Sequence, residues 1–337
     1  MNIDKKMKGQ FFTITNPFNH DLFFKWISKI ESFENKTILE PFAGCNNILD
    51  LMEEIGYINE WKCFDIDPEC AELTADMDYP VKTRDTLNDF PLGYEIIITN
   101  PPYLAKQSAT RSGISFPDNS KYNDLYKISL DKMLSNSEYV AAIIPESFLT
   151  QKLFHNRLYG VVSLTMKMFE DTNCPVCLAL FVPEEEKESP NDFLIYSGDR
   201  IIGNYLQMKD ILVNPSLKLA MEFNDPKGDI GLIAIDNTSG ASIQFVIGNS
   251  IDKDKIKQTS RSITRITIND IEDDNIDINQ LIRVANRLLF EERDITSDLF
   301  LTPFKGLRRD GKYRRRLDYK NAKRILTMAY EEVKNND

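Results

Sequence analysis

The stretch Glu95-Ile96-Ile97-Ile98-Thr99-Asn100-Pro101-Pro102-Tyr103 constrains this chain more than any other. Three consecutive isoleucines closed by a turn signal read as a strand buried on both faces, as in a parallel sheet covered by helices. The residues just past such a strand stand at the carboxyl edge of the sheet, where open α/β sheets bind ligands. Pro101 and Pro102 fix their own φ and push the preceding residue into extended geometry, so Asn100 is held rigid at that edge. A plain Pro-Pro turn after a core strand is the blander reading of the same residues.

The chemistry that suits the tetrapeptide is transfer to an amine whose lone pair is delocalised into a ring, such as adenine N6. Two acceptors on its two hydrogens, the Asn100 side-chain oxygen and the Pro101 carbonyl, would localise that lone pair on nitrogen. Fixed dipoles aimed there favour the transition state over the ground state as charge develops. Tyr103 offers a face on which an extruded base can stack.

Other strand ends extend the pattern. Thr37 to Phe42 reads as a strand, followed by the small-residue turn Ala43-Gly44-Cys45-Asn46-Asn47 and a helix over 48–55. This is the first half of a nucleotide-binding βαβ unit, with Asn46 where a second glycine would be expected; Asn tolerates positive φ. A plain strand-helix turn fits it equally. The strand Trp61 to Ile66 ends in Asp65-Ile66-Asp67-Pro68, placing Asp65 to accept from ribose hydroxyls and Asp67 to cap a helix with Pro68 at its first position. Val81 to Thr83 leads to Arg84-Asp85, where Asp85 either accepts from an adenine amino group or belongs to a surface turn. The aromatic-rich loop at 8–16 feeds a helix with Leu22, Phe23, Trp26, Ile27 and Ile30 on one face.

The succession Gly9-Gln10-Phe11-Phe12-Thr13, Leu39-Glu40-Pro41-Phe42-Ala43-Gly44, Phe64-Asp65-Ile66-Asp67-Pro68, Arg84-Asp85 and Asn100-Pro101-Pro102-Tyr103 resembles the γ-class of S-adenosylmethionine-dependent DNA adenine-N6 methyltransferases, to which the Taq-type methylase belongs. The likeness continues through Lys121-Tyr122-Asn123-Asp124-Leu125-Tyr126, the strand Val140 to Pro145 and the segment Phe169 to Val182. It covers residues 8–183, about half of the chain. It implies an α/β fold, a Rossmann-like domain with a mostly parallel seven-stranded sheet, followed by a mixed β/α target-recognition domain. It implies S-adenosylmethionine as cofactor, its methionine part held by Thr13 and Glu40, with Phe42 and Gly44 in the first turn. Asp65 would take the ribose, Ile66 would pack on the adenine ring and Asp85 would accept from its amino group. The catalytic set would be Asn100, Pro101, Pro102 and Tyr103, with Phe169 as the second aromatic wall of the base pocket. The implied partner is double-stranded DNA; a cognate restriction endonuclease is compatible but not physically required. A protein-glutamine N5 methyltransferase, which uses the same tetrapeptide on an amide-like nitrogen, an rRNA adenine-N6 methyltransferase, and a DNA-binding module that no longer turns over are the rival readings. The loop 104–121 matches no motif of the family and reads either as a surface loop or as a lid.

Three functional classes are disfavoured by composition. No apolar run approaches a membrane span and the start Met1-Asn2-Ile3-Asp4-Lys5-Lys6 lacks a secretory apolar region, so a cytoplasmic protein is expected. Five cysteines and two histidines give no metal-ligand pattern, and Cys174-Pro175-Val176-Cys177 reads as structural thiols, so no metal is expected. Glu184 to Lys187 is the only local acid cluster with a nearby lysine and reads better as linker, so no cleavage is expected.

Beyond Val182, Pro183-Glu184-Glu185-Glu186-Lys187-Glu188-Ser189-Pro190 reads as a linker, giving a catalytic domain over 1–183, a linker over 184–190 and a recognition domain over 191–337. That domain shows five strand-like runs, at 193–196, 201–206, 231–235, 243–247 and 263–268, and two amphipathic helical patterns. From 305 to 324 ten basic residues face Asp310 and Asp318, a local charge of +8 in a chain of −11. That contrast marks Lys305, Arg308, Arg309, Lys312, Arg314, Arg315 and Arg316 as candidate phosphate contacts.

Overall fold

A computed structural model describes residues 13, 15–117, 121–169, 174–237, 239–269, 276–307 and 313–336. The chain divides into two compact units, residues 1–206 and 207–337.

The first unit is the α/β layer structure expected. Helix α1 (Asp21–Ile27) buries Leu22, Phe23, Trp26 and Ile27, as its spacing predicts. The strands are β1 (Thr37–Glu40), β2 (Glu60–Asp65), β3 (Lys82–Thr83), β4 (Ile96–Thr99), β5 (Tyr139–Pro145), β6 (Leu158–Ser163), β7 (Val176–Phe181), β8 (Leu194–Ser197) and β9 (Arg200–Asn204). The helices that cover them include α2 (Asn47–Glu54), α3 (Pro68–Leu73), α4 (Lys106–Ser112) and α5 (Leu125–Asn136). All four residues of β4 and all seven of β5 are buried, which is why these strands carry continuous apolar runs rather than alternation. The sheet order is β3-β2-β1-β4-β5-β7-β6-β8-β9, doubly wound from β1 outward. β7 runs antiparallel to both β5 and β6, and β9 antiparallel to β8.

The sheet thus has nine strands where seven were expected. The extra pair, β8 and β9, comes from residues placed by sequence in the C-terminal domain; β8 instead pairs in parallel with β6 from Gly160↔Leu194 to Ser163↔Ser197. The segment expected as a free linker is tied down on the way. It forms a 3-10 turn at Glu184–Glu186, whose Glu186 accepts from the Tyr139 hydroxyl, while Lys187 Nζ donates to the His155 carbonyl at 2.6 Å. Charge and proline made this segment resemble a hinge; its side chains anchor it to β5 and to the chain before β6.

The second unit holds a four-stranded antiparallel sheet in the order β10-β13-β11-β12: β10 (Met221–Phe223), β11 (Ile230–Ile233), β12 (Gln244–Ile247) and β13 (Ile263–Ile268). Two helices, α6 (Ile278–Ile295) and α7 (Tyr319–Asn336), contribute Leu281, Ala285, Leu289, Ile325, Leu326 and Ala329 to one core with the sheet. Between them lie β14 (Phe304–Leu307) and β15 (Tyr313–Arg315), an antiparallel pair. Arg293 bridges buried Asp236 and half-buried Asp298, and Arg324 pairs with Glu292, both of the latter buried.

Among the described residues no helix is long and apolar enough to cross a membrane, and no group of three or more side chains could hold a metal ion.

Candidate active site

The carboxyl ends of β1, β2, β3 and β4 surround one cavity of about 360 Å³. Each wall is set by its local sequence.

After β1 the chain turns through Gly44 (φ 53°) and Asn46 (φ 67°), both left-handed, so asparagine does take the conformation of the absent glycine. Asn46 fixes this turn by donating from Nδ2 to the Tyr79 carbonyl at 2.7 Å. The Ala43 amide donates to the Phe64 carbonyl at 2.8 Å and the Gly44 amide to Asp65 Oδ2 at 2.9 Å. Asp65 Oδ1 accepts from the Asp67 amide at 2.9 Å. The carboxylate therefore couples the first turn to the end of β2, and burial raises its pKa against the pull of these amides. Asp67 caps α3 as its sequence predicts, accepting from the Glu69 amide at 3.1 Å with Pro68 in the first turn. Ile66 between them is 61% exposed and lines the cavity, an apolar face left open for a ligand ring. Asp85 lines it too, but spends its carboxylate on its own turn, accepting from the Leu87 amide (3.1 Å), the Asn88 amide (3.2 Å) and Asn88 Nδ2 (2.7 Å).

Glu40 closes β1 and is 2% exposed. Its Oε1 accepts from the Phe42 amide at 3.0 Å and from the Thr99 hydroxyl at 2.5 Å; Oε2 is buried with no hydrogen-bond partner among the described residues. Desolvation pushes the Glu40 carboxyl up to about 8, past the relief its two hydrogen bonds give. Glu40 is not among the residues that line the cavity.

At the end of β4, Asn100 is half-buried and lines the cavity beside Pro102, while Pro101 is buried. Its Oδ1 accepts from the Tyr103 hydroxyl at 2.5 Å and its Nδ2 donates to Thr13 Oγ1 at 3.4 Å. The Tyr103 oxygen also stands 2.6 Å from the Ile143 carbonyl on β5, so one proton has two acceptors in reach. Thr13 pairs with Phe169 through an isolated antiparallel bridge and so stands beside the end of β4. Thr13, Phe42, Gly44, Asp65, Ile66, Asp85, Asn100 and Pro102 therefore line one cavity.

The aromatic pair departs from expectation. Tyr103 and Phe169 meet edge-on, centroids 6.2 Å apart at 69°, and Phe169 is 1% exposed. In this arrangement the rings meet edge to face and do not stand as two parallel walls, and neither is among the residues that line the cavity.

No family model matches the chain, and no match was found among curated proteins. Among solved structures it is similar to a Listeria monocytogenes protein assigned to the class I S-adenosylmethionine-dependent methyltransferases, at 16% identity and a TM-score of 0.41 over 53% of this chain and 62% of that one. It is similar to the type I restriction-modification methyltransferase subunit of Streptococcus thermophilus, at 16% identity and 0.40 over 56% and 47%. It is also similar to the 23S rRNA methyltransferase ErmE, at 13% and 0.33 over 53% and 71%. The chain thus spans less than two thirds of the first two proteins. At TM-scores below 0.5 these likenesses assign it neither activity nor substrate.

One wall was missed by sequence reasoning. Leu104, Ile114, Ser115 and Leu125 line the cavity, and α4 rises within the stretch that had read as loop or lid. Leu104, Ala109, Leu125 and Ile128 form a small cluster of their own that seats it. Its C-terminal signal was present: Gly113 ends the helix in the left-handed conformation (φ 66°).

The basic segment is only partly a surface. Arg308, Arg309 and Lys312 lie outside the described residues, and Lys305 is placed on β14 by its backbone. Arg314, Arg315 and Arg316 are half-buried. Arg315 Nη1 donates to the Asp298 carbonyl at 2.5 Å and lies 3.4 Å from that of Thr302, and Arg324 is sequestered by Glu292. Both were counted toward the local charge of +8; in the fold they hold carbonyls and a buried carboxylate. None of the five cysteines is in a disulfide, and burial pushes Cys63 and Cys70 up to about 12, the behaviour of structural thiols.

Proposed function

We propose that this chain is an S-adenosylmethionine-dependent DNA methyltransferase that modifies adenine N6, with its first unit as the catalytic domain and its second as the target-recognition domain. The observation that carries the reading is the convergence of Thr13, Phe42, Gly44, Asp65, Ile66, Asp85, Asn100 and Pro102 on one cavity, at the sheet edge where the fold binds ligands.

The residues present fit the cofactor. Asp65 supplies a carboxylate at the end of β2 and Ile66 an exposed apolar face on the cavity, while Glu40, whose Oε2 has no partner among the described residues, lies behind the lining and would have to be reached through it to hold a cationic end. When bound, the cofactor supplies a methyl group activated by its sulfonium. Everything else falls to the chain. Asn100 Oδ1 accepts one hydrogen of the target amine and the Pro101 carbonyl the other, drawing the lone pair toward the methyl. Fixed in place beforehand, these dipoles reorganise little as charge develops. Tyr103 can direct its proton to the Ile143 carbonyl while Asn100 engages the amine, and the two rings part to admit the base. The path of the displaced proton is through Asn100 or the Pro101 carbonyl to solvent, with no strong base required. Metal is not needed for these steps, and no motif for cleavage accompanies them. The cellular setting implied is cytoplasmic, where duplex DNA is available.

The test is to incubate the protein with methyl-labelled S-adenosylmethionine and separate pools of duplex DNA, RNA and protein, then to identify the labelled product. Label on N6-methyladenine in DNA supports the reading. Label on rRNA adenine or on glutamine supports a rival, and no transfer to any pool favours an inactive binding module.

A further inference from the structure

With Arg315 and Arg324 spent inside the second unit, the basic segment offers less charge than its sequence suggests, and the fold brings other cations to it. Past β11 the chain passes from one partner to another. The Ala234 amide donates to the Ser262 carbonyl at 2.8 Å, the Ala234 carbonyl accepts from the Leu317 amide at 3.0 Å, and Ile235 bridges to Arg316. Two segments far apart in sequence, 257–262 and 315–317, are thereby laid against the same stretch of backbone. Tyr319 ties them together: its hydroxyl donates to the Ser260 carbonyl at 2.6 Å and lies 3.1 Å from Asn224 Oδ1, while its ring stacks on Phe223 with centroids 4.4 Å apart. Asn224 Nδ2 donates to the carbonyls of Gln258 (3.0 Å) and Ser260 (3.3 Å), and the Ser260 amide donates to the Lys257 carbonyl at 2.8 Å. The turn that carries Lys257 and Arg261 is therefore fixed by bonds that neither charged side chain supplies.

Lys257 and Arg261 are exposed and Arg316 is half-buried; none of the three forms an ion pair with a described residue. The charges of Arg261 and Arg316 both act on the Tyr319 hydroxyl, so cations from the two segments converge there. No acid occurs from Lys255 to Ile268; Asp252 and Asp254 precede that run, and Asp318 accepts from the Asn321 amide at 2.9 Å. Between and beside the cations stand Gln258, Thr259 and Ser262, all exposed and all able to bond a phosphate oxygen.

We propose that Lys257 and Arg261 join Arg316 in a preformed contact for the phosphate backbone of duplex DNA. This rests on the DNA reading above and adds to it a basic turn that lies outside the cation-rich stretch 305–324. Duplex DNA presents one negative charge about every 1.7 Å of its axis, so fixed cations without an ion-pair partner bind it by releasing its counterions. Because the turn is already ordered, little freedom is lost when it docks. Contacts of this kind set the position of the protein on the duplex and carry no sequence information.

The test is fluorescence anisotropy of a labelled mixed-sequence DNA duplex, titrated with the full chain at several salt concentrations. Lys257→Gln with Arg261→Gln should lower the slope of log Kd against log salt by about two units, and adding Arg316→Gln by about one more. Lys25→Gln with Lys29→Gln removes the same charge from exposed positions on α1 and should leave the slope unchanged. If the wild type binds the duplex and Lys257→Gln with Arg261→Gln keeps its slope, this inference is overturned and the methyl-transfer reading stands. An equal fall in the α1 control overturns it as well, because the effect would then be one of total charge. Loss of slope on an RNA duplex of the same sequence, with none on DNA, overturns the assignment of the partner. A wild type that binds no duplex DNA overturns both this inference and the DNA reading.

Discussion

Replacing Glu40 by glutamine should stabilise the ligand-free protein while weakening its hold on the cofactor. Burial raises the carboxyl from its ordinary value of 4.5 to about 8, so between those values the folded protein keeps a proton that the unfolded chain has released. Stability on this account is full below the unfolded value and is lost as pH rises toward 8. At 1.4 kcal/mol per pH unit the cost is about 3 kcal/mol at pH 7 and about 5 kcal/mol once pH exceeds 8. Glutamine carries no charge to desolvate, and its oxygen can still accept from the Phe42 amide and the Thr99 hydroxyl. Urea unfolding of the wild type and Glu40→Gln at pH 5, 7 and 8 measures the difference: near zero at pH 5, about 3 kcal/mol in favour of the variant at pH 7, and larger still at pH 8. Parallel loss of stability in the two proteins from pH 5 to 8 would refute the reasoning, because it would mean that Glu40 is already ionised in the fold. A variant less stable at pH 7 would do the same.

Other substitutions separate the parts of the site. Asn100→Ala should lower kcat by at least 100-fold, the scale seen when one transition-state donor or acceptor is removed, with the Kd for S-adenosylmethionine changed less than threefold in a binding titration. Tyr103→Phe keeps the ring and loses the hydroxyl shared between Asn100 and Ile143; it should retain activity within about tenfold, whereas Tyr103→Ala should lose more, as steady-state kinetics would show. Arg314→Glu with Arg316→Glu should lower the slope of log Kd for duplex DNA against log salt by about two units, if these two side chains neutralise phosphates; an unchanged slope removes them from the interface. Arg324→Ala, in contrast, should leave that slope alone and cost about 3–5 kcal/mol in urea unfolding, because Glu292 is left buried and uncompensated.

Much of the site was legible because strand ends announce themselves. The run Ile96-Ile97-Ile98 followed by Asn-Pro-Pro can be little else than a buried strand with a rigid exit, and Asp67-Pro68 is a helix start by residue type alone. Asn46 was readable as a left-handed turn residue for the same local reason. Partners were not legible. Nothing in Leu194 to Asn204 says which sheet its two strands join, since short apolar runs carry no address; pairing with β6 decided it. Asp65 and Asp85 were read as ligand acceptors from their positions, yet the fold shows each already bonded to backbone amides, Gly44 and Asp67 for one, Leu87 and Asn88 for the other. Counting cations over 305–324 could not reveal that Glu292 holds Arg324 or that Arg315 faces carbonyls. That Tyr103 and Phe169 meet edge-on is a matter of geometry, which composition does not encode. Thr99 escaped notice because a threonine in a buried strand reads as β-propensity until its hydroxyl is found on Glu40.

The central claim is that Asn100 and the Pro101 carbonyl make a ring-attached amine accept a methyl group. The most direct measurement is single-turnover transfer of labelled methyl from S-adenosylmethionine to duplex DNA, by the wild type and by Asn100→Ala, with the modified base identified after digestion. The account predicts N6-methyladenine from the wild type and at least a 100-fold slower first turnover from the variant. Equal rates in the two proteins, or label recovered on any atom other than an amine or amide nitrogen, would contradict it.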